Sequence, residues 1–226
     1  MPKNKNSVVV LFSGGLDSCV CLWHLKQAGA DVHALSILSK ASGENHHEVM
    51  AATRLARRLG VPHSVVDISS LGSLFGGRKD IVFGLGGQIG QCIPPTKQGA
   101  PMAAAMMHVM AMMYASTKGI RRVAWALHKD DLGGESPDRI LGYARILQDL
   151  AKAQSETCEV IMPFLNMSKA DIIRMGRRIG APIEETVSCI MQAESGQDHA
   201  CGSCKQCLNR IHAFEEADGV SMGAAA

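Results

Sequence analysis

The chain has 226 residues, of which 46% are hydrophobic and 19% charged, with a net charge of +2. That length suits one large α/β domain with a packed core and is short for two. The weak charge lacks the basic stripe of a nucleic-acid binder, and 4% aromatic residues leave few stacking platforms for single strands. No apolar run reaches the ~20 residues needed to span a bilayer, and the run that follows the polar Met1 to Ser7 is too short for a signal-peptide core. A cytoplasmic protein is therefore expected. There thiols stay reduced, so eight cysteines argue for metal binding or chemistry and against a disulfide framework.

Ser7 to Phe12 reads as a buried parallel strand. Leu16 to Ala28 carries Val20, Leu22, Trp23 and Leu25 at helical spacing and stops at Gly29. Val32 to Leu38 predicts a second strand, Glu44 to Leu59 an amphipathic helix closed by Gly60, and His63 to Ile68 a third strand. This βαβαβ alternation predicts a parallel sheet with right-handed crossovers. Gly72 to Pro101 is rich in glycine and proline and has no sustained period, which predicts a functional loop. Its glycines, Gly84 to Gly90, lack the dinucleotide-fingerprint spacing. Met102 to Thr117 predicts a buried methionine-rich helix with His108 as a core histidine. Arg122 to Leu127 predicts a fourth strand, His128 to Pro137 a polar loop, Asp138 to Ala153 a helix and Glu159 to Met162 a fifth strand. Ser168 to Ile179 predicts a helix opened by a Ser168-x-x-Asp171 capping box. A short helix is expected around Gln206 to Glu216, and a tail of small residues follows it.

The first strand runs into "FSGGLDS", Phe12 to Ser18. A strand, a glycine turn and a helix start make an anion site, because backbone N–H groups and the helix dipole point at the ligand. Gly14 and Gly15 remove side chains so that a phosphate can approach the backbone, and Ser13 and Ser18 add hydroxyl donors. Asp17 is out of place at an anion site unless it helps hold magnesium or orients the loop. No lysine follows at Walker-loop spacing, and Phe12 stands where a nucleophile elbow needs glycine. An ordinary tight turn with a capping residue is the competing interpretation.

The "FSGGLDS" stretch resembles the pyrophosphate loop of the ATP pyrophosphatases. That resemblance implies a five-stranded parallel, doubly wound α/β sheet of the adenine nucleotide alpha hydrolase type, with ATP bound at Phe12, Ser13, Gly14, Gly15, Leu16, Asp17 and Ser18. It also implies cleavage of ATP to AMP and pyrophosphate, with Asp17 and Ser18 in catalytic roles. It does not identify the substrate.

At the other end, Cys189, Cys201, Cys204 and Cys207 form Cys-x11-Cys-x2-Cys-x2-Cys. Two-residue gaps let thiolates converge on one ion, and four thiolates satisfy tetrahedral zinc (Zn2+) while leaving no open position for water. A structural zinc site is expected; an iron–sulfur cluster has compatible ligands. His199 is read as a loop residue, and Cys19, Cys21, Cys92 and Cys158 as buried or incidental thiols. The domain reading is 1–187 for the nucleotide-binding α/β domain, 188–217 for the zinc segment and 218–226 for a disordered tail.

With the loop at the start, "HACGSCKQCLNRIHAF" and "MPFLNMSKADIIRMG" resemble the zinc tail and the preceding segment of the 7-cyano-7-deazaguanine synthase family of queuosine precursor synthesis. The likeness covers about residues 7–214. It implies that Lys169 reaches ATP phosphates or an adenylate. It further implies conversion of 7-carboxy-7-deazaguanine and ammonia to a nitrile with ATP and magnesium (Mg2+). The middle of the chain departs from the family. Ala41 to Asn45 stands where members carry aromatic-Gly-Gln-Arg-His, Lys97 to Pro101 lacks the family's Arg and Asn, and "LHKDDLGGESPDR" keeps only Pro137-Asp138. Those segments are expected at the carboxyl ends of the strands, facing the ligand. His128, Lys129, Asp131 and Asp138, with Asp130, are the candidates for substrate contact, against the alternative of a solvated charged loop. The adjacent His46 and His47 do not face one direction on a helix and read as surface residues. Other carboxylates joined to an amine, transfer-RNA thiolation and a non-enzymatic nucleotide sensor remain as alternatives, and a homodimer stays open.

Overall fold

The computed structural model describes residues 6–38, 46–71, 81–82, 98–99, 102–134, 136–189 and 200–219. Four valines and leucines in a row behind Ser7 form β1 (Ser7–Leu11), which is buried on both faces. Val8 and Val10 join one core, while Val9 faces the other. Such a strand needs helices above and below it. On one side pack α1 (Leu16–Gln27), α2 (His46–Leu59) and α5 (Lys169–Arg178). Phe12, Leu55, Phe164, Ile172 and Ile173 fill that layer. On the other side pack α3 (Ala103–Thr117) and α4 (Pro137–Ala153), through Ala111, Met112, Ala115 and Leu147. Each fully buried Val, Leu, Ile or Phe contributes about 1.5–3 kcal/mol by leaving water.

The remaining strands are β2 (Asp31–Leu38), β3 (His63–Asp67), β6 (Arg122–Ala124) and β7 (Glu159–Ile161). The order is β3-β2-β1-β6-β7, and every pairing is parallel. The chain moves outward from β1 through β2 to β3, then returns to the other side of β1 as β6. The order reverses between β1 and β6, so the crevice beyond their carboxyl ends is where ligands bind in such sheets.

Three differences from the expected elements have physical reasons. The ladder of β6 ends at Ala124, although the apolar run continues to Leu127. Trp125, Ala126 and Leu127 are buried beneath the site without extending the strand, and burial gives them the same apolar composition a ladder would. Within the expected loop of Gly72 to Pro101, β4 (Ile81–Val82) and β5 (Gln98–Gly99) pair in parallel as a separate two-stranded sheet. Gly84 to Gly90, Cys92, His199 and Ala41 to Asn45 lie outside the described residues. The polar loop after β6 contains a 3-10 turn, Lys129–Leu132.

The C-terminal helix α6 (Lys205–Ala217) packs on α5. Arg174 Nη2 donates to Glu216 O at 2.6 Å, and Arg177 pairs with Asp218. Asp218 opens the expected tail, whose residues 220–226 lie outside the described residues. His108 is fully buried against Trp125, with ring centroids 4.3 Å apart, and its Nδ1 is 3.0 Å from the Tyr143 hydroxyl. Burial pulls its pKa down to about 4, which makes it a neutral core histidine. Cys19 and Cys21 are buried and Cys158 is half-buried. His46 is exposed and His47 half-buried.

Candidate active site

The loop from Phe12 to Ser18 crosses from β1 to α1 at the sheet's reversal point. Phe12 anchors it: the ring is buried, its N–H donates to Leu35 O at 2.8 Å, and its carbonyl accepts from Ser36 Oγ at 2.5 Å. Gly14 stands at φ +85°, and a Cβ there would lie 2.3 Å from Glu48 O and 2.7 Å from Ala52 N. Gly14 is therefore required by the backbone of α2, a neighbour that the sequence pattern did not name. Gly15 is the N-cap of α1 and brings no capping side chain, which leaves first-turn N–H groups available to an anion. Ser13 is exposed at the loop's crest. Its Oγ accepts from Gly15 N–H at 3.2 Å and lies 3.1 Å from Ser18 Oγ. Ser18 Oγ in turn donates to Gly15 O at 3.1 Å.

Behind the loop sits a cluster of charge. Ser168 and Asp171 form the expected capping box at the start of α5, so Lys169 occupies its first position. Lys169 Nζ lies 2.9 Å from Asp17 Oδ2, and the two side chains are 14% and 23% exposed. Asp17 thus links the first turn of α1 to the start of α5. His128 is buried beside this pair. Its Nε2 is 3.7 Å from Asp17 Oδ2 and 3.3 Å from Asp131 Oδ2, and its Nδ1 is 3.8 Å from Asp130 Oδ2. The turn that carries His128 is stitched to α5: Lys129 N–H donates to Met167 O at 2.9 Å, and Lys169 N–H donates to Asp130 Oδ2 at 2.7 Å.

The electrostatics follow from these distances. Burial pushes the Asp17 carboxyl up, but the Lys169 ammonium and then His128 outweigh it and hold the group well below the usual carboxylate range. Burial opposes charging of His128, yet Asp17 and Asp131 raise its pKa on balance. Burial raises Asp131. Asp17 Oδ1 and both ring nitrogens of His128 are buried with no hydrogen-bond partner among the described residues. Of the expected substrate residues, His128 and Asp131 converge on Asp17 with Lys169. Lys129 and Asp138 are exposed and do not join that cluster. Sequence reasoning missed Glu48, in the first turn of α2 against the loop, whose carboxyl burial pushes up to about 7. No local pattern marks it.

The cysteines form a second centre. The Sγ atoms of Cys189, Cys201, Cys204 and Cys207 lie within 4.8 Å of one another, the donor set and spacing of a four-thiolate metal site. Cys204 N–H donates to Cys201 Sγ at 3.3 Å, and Cys201 N–H to Cys189 Sγ at 3.4 Å. Hydrogen bonds from Ser203 and Cys204 pull the Cys201 thiol down to about 6, which prepares it to bind as thiolate. Burial pushes the Cys207 thiol up to about 12. Val187 N–H donates to Gly14 O at 3.1 Å, so the segment leading to Cys189 is tied to the phosphate loop. Arg210 of α6 adds a clasp to Thr186 Oγ1 at 2.7 Å and to Ile183 O at 2.8 Å.

Comparison with known proteins agrees with this arrangement. Residues 7–218 match the family model described as queuosine biosynthesis protein QueC. The 7-cyano-7-deazaguanine synthase of Pseudoalteromonas atlantica is 32% identical over 214 residues, covering 92% of this chain and 94% of its own. That of Archaeoglobus fulgidus is 31% identical over 214 residues, covering 91% of this chain and 84% of its own. Among solved structures, an NMN synthetase from Francisella tularensis superposes with a TM-score of 0.55 at 17% identity, over 97% of this chain and 79% of that one. An NH3-dependent NAD synthetase from Campylobacter jejuni superposes with a TM-score of 0.52 at 18% identity, over 100% of this chain and 91% of that one. These two share the fold. With a glycine loop at the sheet's reversal point, four converging cysteines behind it and a family match across nearly the whole length, the chain belongs to the QueC family of queuosine biosynthesis proteins.

Proposed function

We propose that this chain is an ATP-dependent synthase that activates the carboxylate of 7-carboxy-7-deazaguanine, or a close deazapurine analogue, for attack by ammonia or an amine. The observation that carries the reading is the convergence of Lys169 and His128 on Asp17 beside an uncapped helix start. In this reading the N–H groups of α1 and the hydroxyls of Ser13 and Ser18 bind the phosphates of magnesium-bound ATP. Lys169 neutralises charge that develops there. A carboxylate oxygen of the substrate attacks the α-phosphorus, and pyrophosphate leaves. Ammonia then displaces AMP to give the amide. A second adenylation, now on the amide oxygen, lets that oxygen leave with AMP and gives the nitrile. The protein's part is positioning and charge stabilisation. Zinc at the four cysteines would fix the C-terminal segment against the loop, and the closed donor set leaves it no role at the reacting atoms. Among the described residues no helix is long and apolar enough to cross a membrane.

A second reading keeps the chemistry and changes the carboxylate. It is favoured by the substitutions in Lys97 to Pro101 and in the segment from His128 to Pro137. One assay separates the two. Purified protein with magnesium, ATP, ammonium and 7-carboxy-7-deazaguanine is read by mass spectrometry for nucleotide and base products. An amide or nitrile is expected. An untouched base with pyrophosphate released on another carboxylate would move the assignment to the second reading. In the same assay Asp17→Ala, folded by circular dichroism, should abolish turnover; survival of turnover would refute the role given to the loop.

A further inference from the structure

Asp17 meets two basic side chains through a single oxygen. Its Oδ2 faces Lys169 Nζ at 2.9 Å and His128 Nε2 at 3.7 Å, while Oδ1 is buried with no hydrogen-bond partner among the described residues. The two side chains differ in freedom. Lys169 carries its charge on a flexible four-carbon stem and keeps 14% exposure. His128 is 3% exposed. Asp17 faces it from α1, Asp130 and Asp131 from its own turn, and Lys169 from α5. That turn is tied to α5 through Lys129 N–H and Lys169 N–H. One group can extend toward a ligand and the other is fixed in place.

We propose that Asp17 exchanges counterions: Lys169 holds it before nucleotide binds, and His128 holds it once Lys169 has turned to a bound triphosphate. His128 is then a positioning residue for nucleotide binding, acting through Asp17. The inference rests on the ATP reading above and deepens it. A triphosphate brings a polyanion to the loop. If Lys169 pairs with it, Asp17 is left partly buried beside that negative charge with Oδ1 out of water, and removing the partner of a desolvated charge is destabilising. A protonated His128, 3.7 Å from Asp17 Oδ2 and 3.3 Å from Asp131 Oδ2, would remove that penalty. Both ring nitrogens of His128 lack a hydrogen bond among the described residues, so the ring has donor capacity for the closer contact that the exchange requires. The 3.7 Å separation between His128 Nε2 and Asp17 Oδ2 leaves room for it to form.

The test is a double-mutant cycle on the full chain, with Mg-ATP affinity measured by titration calorimetry for wild type, His128→Gln, Lys169→Met and the double variant. In the wild-type background, His128→Gln should weaken Mg-ATP binding about tenfold. In the Lys169→Met background the same change should cost about twofold or less, because the counterion of Asp17 no longer changes on binding. Equal losses in the two backgrounds, or none in either, would overturn the exchange and leave His128 a structural residue. If His128→Gln does not fold, His128→Asn carries the same comparison. A wild-type chain that fails to bind Mg-ATP overturns the nucleotide reading itself, and that failure is distinct from wild-type binding without coupling.

Discussion

At Gly14 the backbone turns through φ +85°, and the nearest atoms to an added Cβ belong to the backbone of α2. Backbone cannot rotate aside as a side chain can. Gly14→Ala should therefore destabilise the fold by roughly 2–4 kcal/mol, combining left-handed strain with overpacking, and would be read as a fall in the urea midpoint. The glycine pair was legible in the sequence as a place of close approach, but the approaching partner at Gly14 was not, because α2 is more than thirty residues away along the chain. Glu48 makes the same point in charge. Burial raises its carboxyl from 4.5 to about 7. A group whose folded pKa is raised favours folding fully below its unfolded value, and that contribution is lost as pH rises through the folded one. Glu48→Gln removes the dependence. The variant should match wild type in acid and exceed it by about 1–3 kcal/mol above pH 7, measured as unfolding free energy against pH. Parallel pH curves for the two proteins would exclude a raised Glu48 carboxyl.

Helix α5 shows two opposed effects at one position. A Cβ on Gly176 would meet Val20 Cγ2 at 2.8 Å and Ile183 Cγ2 at 2.9 Å. Gly176→Ala gains about 1 kcal/mol of helix propensity, yet overpacking a tight core costs about 1–3 kcal/mol. Val20 is fully buried and Ile183 nearly so, so neither methyl has space to yield, and the variant should lose about 1 kcal/mol net in denaturant unfolding. A more stable variant would mean that α1 and α5 can separate. The start of this helix was legible, because Ser168 and Asp171 form their capping box within four residues. The shortness of β6 was not, because a buried apolar run looks alike with and without a strand partner. The pair of β4 with β5 was hidden for a related reason: two-residue strands carry no period to read.

In the molecule as a whole, the C-terminal segment is held at several points. Val187 binds the phosphate loop, Arg210 clasps Thr186, Arg174 and Arg177 hold the end of α6, and four thiols converge near Cys204. A metal there contributes its binding energy to folding. Cys204→Ser should lose the metal by elemental analysis and lower Tm by about 5 °C or more. A metal-free variant with unchanged Tm would refute the structural role. The cysteine spacing was visible in the sequence, since three of the four ligands lie within seven residues. Its attachment to the loop through Val187 and Gly14 was not.

The sequence by itself determined the parallel α/β sheet, the glycine loop, the capped start of α5 and the cysteine set. Each is written in short-range spacing, where strand and helix periods, cap chemistry and ligand gaps act within a few residues. Only the tertiary structure decided that Asp17 meets Lys169 across 152 positions of chain, that His128 lies buried between Asp17 and Asp131, and that Gly14 is required by α2. The His128 contact comes from the crossover that brings β6 back beside β1, and the other two from the crossovers that pack α2 and α5 on the same face as α1. A crossover places residues by sheet order, and sheet order leaves no mark in local spacing.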